Sequence, residues 1–370
     1  MPSCFSATPV SAGALLTFAL LVQPAAAGRP AIADFMVMTA CADAADHVLP
    51  GVLPTDPACT TRRKLRPGEM APYRLTDFAA ATGPCANRQG VVARFNLPVR
   101  QGAALRVVSF DRHVPRRGCD LVGDGMPAGA SIQGSDAEYG FILGDDAPAG
   151  QLSFDSPPGC RAAPHSAVRF TRGWVIGPAV LPPPRVPGSA AFRAVLTPGE
   201  PGLALDKSCP TGGALALTTW MLDEMVFTGG LALPAFISNH FSHANADGTG
   251  PGAAQQMERT YWTAEFGLSR WEKWARADWT GGGGAVGILA RAAMSDATCG
   301  APRPLPHSPA PALETGPLQS AGAWSQTLRD PGTGEQFTWL LVTCRDYTRL
   351  DRTPQAIPPI PSSYAGWWRN

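Results

Sequence analysis

A glycine or proline falls at roughly every fifth position of the chain, 40 glycines and 38 prolines in 370 residues. Proline removes a backbone donor and fixes φ, and glycine weakens regular elements, so this density breaks long helices but suits short strands joined by turns. The predicted class is mostly β, arranged as two β-sandwich-like domains, the C-terminal one of a jelly-roll or lectin-like kind. "GVVARFNLPVRQGAALRVVSFDR" carries the pattern well, its two apolar-rich arms meeting at Gln101-Gly102 as a hairpin. "EYGFILGDD", "GQLSFDSPPG" and "SAVRFTRGWVIG" continue the rhythm at the spacing of a sandwich or barrel.

The segment "GPAVLPPPRVPGS", Gly177 to Ser189, is too rich in proline for a central strand and is expected to be a linker. It separates an N-terminal β region over 28–176 from a C-terminal region over 190–370, and nine of the ten tryptophans lie at Trp220 or later. Two halves with such different aromatic content cannot be repeats with equivalent cores.

Residues 1–27 read as a secretory signal: the apolar run from Ala12 to Val22 is too short to span a bilayer, and Ala25-Ala26-Ala27 offers a small-residue cleavage site. The absence of Lys or Arg before that run is its one departure from the usual pattern. Eight cysteines follow the signal, an even number in a chain headed for an oxidising compartment, which predicts four disulfides. Cys41 with Cys59 and Cys299 with Cys344 are the expected neighbours. Five of the eight precede the linker, so one bridge at least would cross it. The destination is secreted or periplasmic, with no further run of membrane length. Charged residues make up 16% and the net charge is +1, which supplies no electrostatic footprint for nucleic acid.

Function is sought in "YWTAEFGLSRWEKWARADW", Tyr261 to Trp279, which holds four tryptophans. As a helix the stretch shows no apolar stripe. As a hairpin it has arms Glu258–Ala264 and Leu268–Trp274 around Glu265-Phe266-Gly267, with Gly267 supplying the left-handed residue such a loop needs. Strict alternation then puts Glu258, Thr260 and Trp262 on one face with Arg270, Glu272 and Trp274. Flat indoles beside carboxylates and a guanidinium suit a sugar ring and its hydroxyls, so the leading expectation is polysaccharide binding through Trp262, Arg270, Trp271 and Trp274, with His240 and His243 nearby in sequence. The competing reading is that the indoles pack inward and the charges pair with each other.

A second expectation is glycan cleavage, with Asp223 or Glu224 of "TTWMLDEMVF" working with Glu258 or Glu272; a buried carboxyl is a competent general acid. A third is a non-catalytic structural or interaction protein of the cell envelope. His240 and His243 point to opposite faces if they lie on a strand, so no metal site is assigned to them. No cofactor is expected; Asn245 and Asp247 match half of a calcium loop, but the acidic residue that would complete an EF-hand is missing. Neither a Gly-x-Ser-x-Gly elbow nor a phosphate-cradling glycine motif is present, "TGGGGAVGILAR" lacking the Lys-Ser or Lys-Thr that would follow.

Overall fold

A computed structural model describes residues 29–76, 91–101, 104–114, 130–135, 137–145, 170–192, 195–199, 202–206, 216–241, 243–245, 248, 250–252, 254–279, 286–295, 313–314, 323–330 and 333–352. These form a mostly β protein with two large antiparallel sheets. The first sheet has seven strands and is curled. In spatial order they are β19 (Arg349–Asp351), β3 (Arg74–Thr76), β4 (Val91–Gln101), β5 (Ala104–Val114), β6 (Ala130–Ser135), β7 (Tyr139–Asp145) and β8 (Phe170–Pro178). The expected hairpin around Gln101 is β4 and β5, with Gln101 opposite Ala104. "GQLSFDSPPG" lies outside the described residues.

The second sheet has eight strands. Their order is β16 (Leu313–Glu314), β17 (Ser325–Arg329), β18 (Gln336–Asp346), β15 (Gly267–Arg276), β14 (Gln256–Thr263), β13 (Ala232–Phe241), β12 (Ala216–Val226) and β9 (Gly188–Phe192). Four consecutive strands, β12 to β15, thus form a meander, and β18 adds beside β15. A small hairpin, β10 (Val195–Gly199) with β11 (Gly202–Asp206), and a helix, α2 (Val286–Ser295), complete this half.

The two sheets meet over one buried cluster. It draws Val107 and Ile176 from the first sheet, Trp220, Phe236, Trp262 and Leu268 from the second, and Tyr347 from the chain that returns between them. Close approach requires Gly177 on β8, where a Cβ would sit 2.5 Å from the Phe236 ring. The segment Gly177–Ser189 leaves β8 of the first sheet and enters β9 of the second. Leu181 is sealed within it, and its amide donates to Pro30 O at 2.9 Å.

The N-terminal segment wedges into the same cluster. Helix α1 (Ala33–Met36) contributes Phe35 and Met36, and a short hairpin of β1 (Thr39–Ala42) with β2 (Thr61–Lys64) follows. Cys41 and Cys59 are disulfide-bonded, closing a loop of eighteen residues across this hairpin. Cys344 is also disulfide-bonded, its partner lying outside the described residues together with Cys85, Cys119, Cys160, Cys209 and Cys299. No helix among the described residues is long and apolar enough to cross a membrane.

Candidate functional site

The tryptophan-rich stretch is a hairpin, β14 turning through Ala264–Phe266 into β15. Gly267 adopts φ +68°, and any Cβ there would lie 3.1 Å from Met36 O, so both backbone conformation and space call for glycine. The tip of the turn is clamped by the N-terminal segment. Thr39 N donates to Glu265 O at 2.9 Å and Thr39 Oγ1 to Ala264 O at 2.9 Å. The Tyr73 hydroxyl lies 3.2 Å from Glu265 O and 2.7 Å from Thr39 O. Lys64 Nζ donates to the carbonyls of Ala264, Val37 and Asp34, and burial pulls its pKa down to about 8, against the pull of the Asp34 and Glu265 charges.

The expected shared face needs correction at one residue. Near the turn Trp262 does oppose Leu268, but Tyr261 opposes Arg270, which leaves Ser269 as an extra residue on β15. A bulge of this kind shifts the register by one and exchanges the faces of everything beyond it. Arg270, Glu272 and Trp274 therefore share a face with Tyr261, Arg259 and Met257, while Glu258 and Thr260 share the opposite one with Trp271 and Lys273. Ser269 is held in place by hydrogen bonds of its hydroxyl to Gly267 O at 3.0 Å and with Thr263 Oγ1 at 3.1 Å, and its carbonyl accepts Tyr347 N at 2.9 Å.

On the first of these faces the charges are sealed and satisfied by one another. Glu272 is 0% exposed and accepts from Arg270 Nε at 2.7 Å, Trp274 Nε1 at 2.9 Å and Arg259 Nη1 at 3.5 Å. Arg270 also donates to Asp346 from β18, and Arg259 to Asn239 Oδ1 at 2.5 Å and Gln326 Oε1 at 3.1 Å. Two guanidinium groups thus face two carboxylates, a neutral set, with the Arg259 guanidinium 5.5 Å from the centroid of the Trp274 ring. Burial opposes the charged form of Arg270, and the carboxylates of Glu272 and Asp346 outweigh it, so its pKa is raised. Burial, with the Glu272 charge, lifts the Tyr261 hydroxyl to about 12.

Trp262 and Trp274 are 0% and 1% exposed and offer no ring face to a ligand. The physical reason is that β14 and β15 are interior strands of a sheet covered on both sides, and sealing one indole removes on the order of 200 Å² from water, about 5 kcal/mol of gross stabilisation.

The opposite face is less tightly closed. Glu258 accepts from Trp271 Nε1 at 2.8 Å, and Trp271 and Lys273 are partly exposed. In the adjacent strands the row continues through His240 to Thr218. His240 is buried, stacks on Trp174 at 5.3 Å and shares a hydrogen bond of 3.1 Å between Nδ1 and Thr218 Oγ1. Burial lowers its pKa to about 3, so it is neutral at physiological pH. His243 lies beyond the end of β13, partly buried.

The four candidate acids are not gathered into one cleft. Glu258 and Glu272 point to opposite faces. Asp223 shares the face of Glu272 but stands four residues further along β12 than Thr219, the residue in the row of Glu272. That is about 13 Å along the strand and about 14 Å across three strand spacings. Glu224 is likewise six residues beyond the Glu258 row, about 20 Å. Carboxyl pairs that hydrolyse glycosides stand about 5 to 9.5 Å apart. The Asp223 side chain is instead 3% exposed and lies 3.9 Å from Arg185, and Glu224 is exposed.

Asn245 binds its own loop, its Oδ1 accepting Gly250 N at 3.0 Å and its Nδ2 donating to Asp330 at 3.4 Å; Asp247 lies outside the described residues. Asp330 is sealed and accepts Gly252 N and Thr333 N as well. Among the described residues no three His, Cys, Asp or Glu side chains converge as a metal site.

Sequence reasoning missed Arg259, Asp346, Lys64, Tyr73 and Trp174. Arg259 stood beside the chosen residues and carried a signal, a cation next to Glu258 on a strand; the others come from distant segments and carried none. No known protein family, characterised relative or solved structure matches the chain.

Proposed function

We propose that the protein is a non-catalytic structural or interaction protein, exported to the cell envelope and stabilised by disulfides. The observation that carries this reading is the closed hydrogen-bonding set around Glu272. Glu272, Arg270, Arg259 and Trp274, a carboxylate, two cations and an indole of the kind that hold a sugar, are instead bonded to each other out of reach of water. Breaking such a set to admit a sugar would leave buried charges without partners, at a cost of several kcal/mol. Two measurements test the proposal. Fractionation of the native host is expected to recover the protein with the envelope or periplasm, and recovery in the cytosol would sink it. Incubation with a panel of soluble and cell-wall polysaccharides is expected to release no reducing ends.

A second reading is favoured by one specific feature, the partly exposed Trp271 beside Glu258 and Lys273. On this reading the protein binds a polysaccharide at that face, as a lectin-like sandwich would. Its signature is a saturable change in tryptophan fluorescence that Trp271→Ala abolishes while leaving the melting temperature within a few degrees of the parent.

A further inference from the structure

An end strand exposes a row of unpaired N–H and C=O groups, and proteins guard such edges with charge, proline, brevity or a covering element. Three of the four edges of the two large sheets are guarded in this way. Strand β16 is two residues long and ends in Glu314. Strand β19 has three residues, two of them Arg349 and Asp351. Strand β8 carries Arg172, ends in Pro178 and lies over the other sheet, with Val175 O accepting the Thr218 hydroxyl at 2.8 Å.

Strand β9 differs from all three. Its sequence, Gly-Ser-Ala-Ala-Phe, is five residues long without a charge. It pairs with β12 along its whole length, from Gly188 opposite Trp220 to Phe192 opposite Ala216, and among the described residues no strand lies on its other side. Ser189 is exposed, and Gly188, Ala190 and Ala191 are partly exposed. The chain leading into it is hydrogen-bonded to itself and to β12. Val186 N closes a turn onto Pro183 O at 3.2 Å, and Arg185 N donates to Leu222 O at 2.8 Å, with Arg185 itself at φ +62°. Two of the five large apolar side chains exposed among the described residues, Val180 at 56% and Val186 at 45%, flank this approach.

We propose that β9 pairs antiparallel with β9 of a second copy, joining two eight-stranded sheets edge to edge about a two-fold axis. A second copy is the partner this edge fits because residues near a two-fold axis face their own counterparts, where any charge would meet its like. The stretch from Val186 to Phe192 has no charge to repel. Val186, two residues before the strand, adds an exposed apolar side chain at the rim. The inference stands apart from the scaffold reading and would hold equally for a polysaccharide binder.

Sedimentation velocity on the full, disulfide-intact chain over a roughly hundredfold concentration range is expected to show a species of twice the chain mass giving way to monomer on dilution. Ser189→Lys, on an exposed side chain, is expected to weaken the dimer by roughly tenfold or more. Ser189→Thr, which keeps the edge neutral, is expected to leave it unchanged. Amide hydrogen exchange of the unaltered protein provides a readout that needs no variant: the peptide covering Val186–Phe192 gains protection at high concentration and loses it on dilution. A monomer at every concentration would overturn the inference. So would a dimer whose β9 amides show no concentration-dependent protection, since that dimer would use another surface.

Discussion

The two faces of the β14–β15 hairpin begin from the same ingredients and end in different states. Each holds indole and carboxylate groups within a few residues of chain. On one, Glu272 is enclosed by Arg259, Arg270 and Trp274, and nothing of it reaches water. On the other, Glu258 has a single indole donor in Trp271, whose ring is still partly exposed. Neither residue type nor spacing along the strand separates these outcomes. One extra residue at Ser269, together with the strands that cover each face, sorts acids and indoles into a sealed set and a partly open one.

The most severe way to break this comparison is to delete Ser269. Removing the bulge would slip Arg270, Glu272 and Trp274 onto the face of Glu258 and expose a neutral ion set to mismatched neighbours. The expected outcome is loss of the native state, because the total stability of a domain is only about 5–15 kcal/mol. Near-UV circular dichroism reads it directly, and a deletion variant with the parent's tryptophan spectrum would mean that the bulge does not set the faces.

A gentler cut compares the two acids. Glu272→Gln leaves buried guanidinium groups short of a counter-charge and is expected to cost about 3–5 kcal/mol in urea unfolding. Glu258→Gln retains an acceptor for Trp271 and is expected to cost about 1 kcal/mol or less. Equal costs would erase the distinction between the faces.

His240 sharpens the comparison through pH. Its pKa is about 3 in the folded state against an ordinary value of 6.5, so the unfolded chain binds more protons between these limits. Its contribution is complete above about pH 6.5 and is lost as pH falls toward 3, at up to about 1.4 kcal/mol per pH unit. His240→Gln is expected to flatten that part of the stability curve; an unchanged acid limb would place the loss elsewhere.

Lys64 is expected to give a smaller effect than His240, of the same sign but at higher pH. Its folded pKa of about 8 lies below the ordinary 10.5, so the unfolded chain again holds the extra proton and stability rises as pH climbs from 8 to 10.5. Lys64→Met is expected to remove this rise. Unfolding midpoints across that range test it, and a rise that persists in the variant would assign it to other groups.

Much of the secondary structure was legible because its signals are local. The alternating runs around Gln101, the arms on either side of Glu265-Phe266, and the pairing of Cys41 with Cys59 all involve residues close in sequence. Legibility stopped where a partner came from far away. Asp346, which helps hold Arg270, is 76 residues from it, and Trp174 reaches His240 from the other sheet. Nor could alternation locate the bulge, since Ser269 carries no composition cue and is extra only because of how β14 and β15 pair.

What this chain's order of residues determined on its own was the class of element: frequent glycine and proline exclude long helices, and period-two runs between them favour paired strands. What only the tertiary structure decided was which side of each strand meets water. Strand propensity is a property of the backbone and its nearest neighbours, whereas burial depends on what covers each face, and here the cover for both faces of the tryptophan hairpin is assembled from segments remote in sequence.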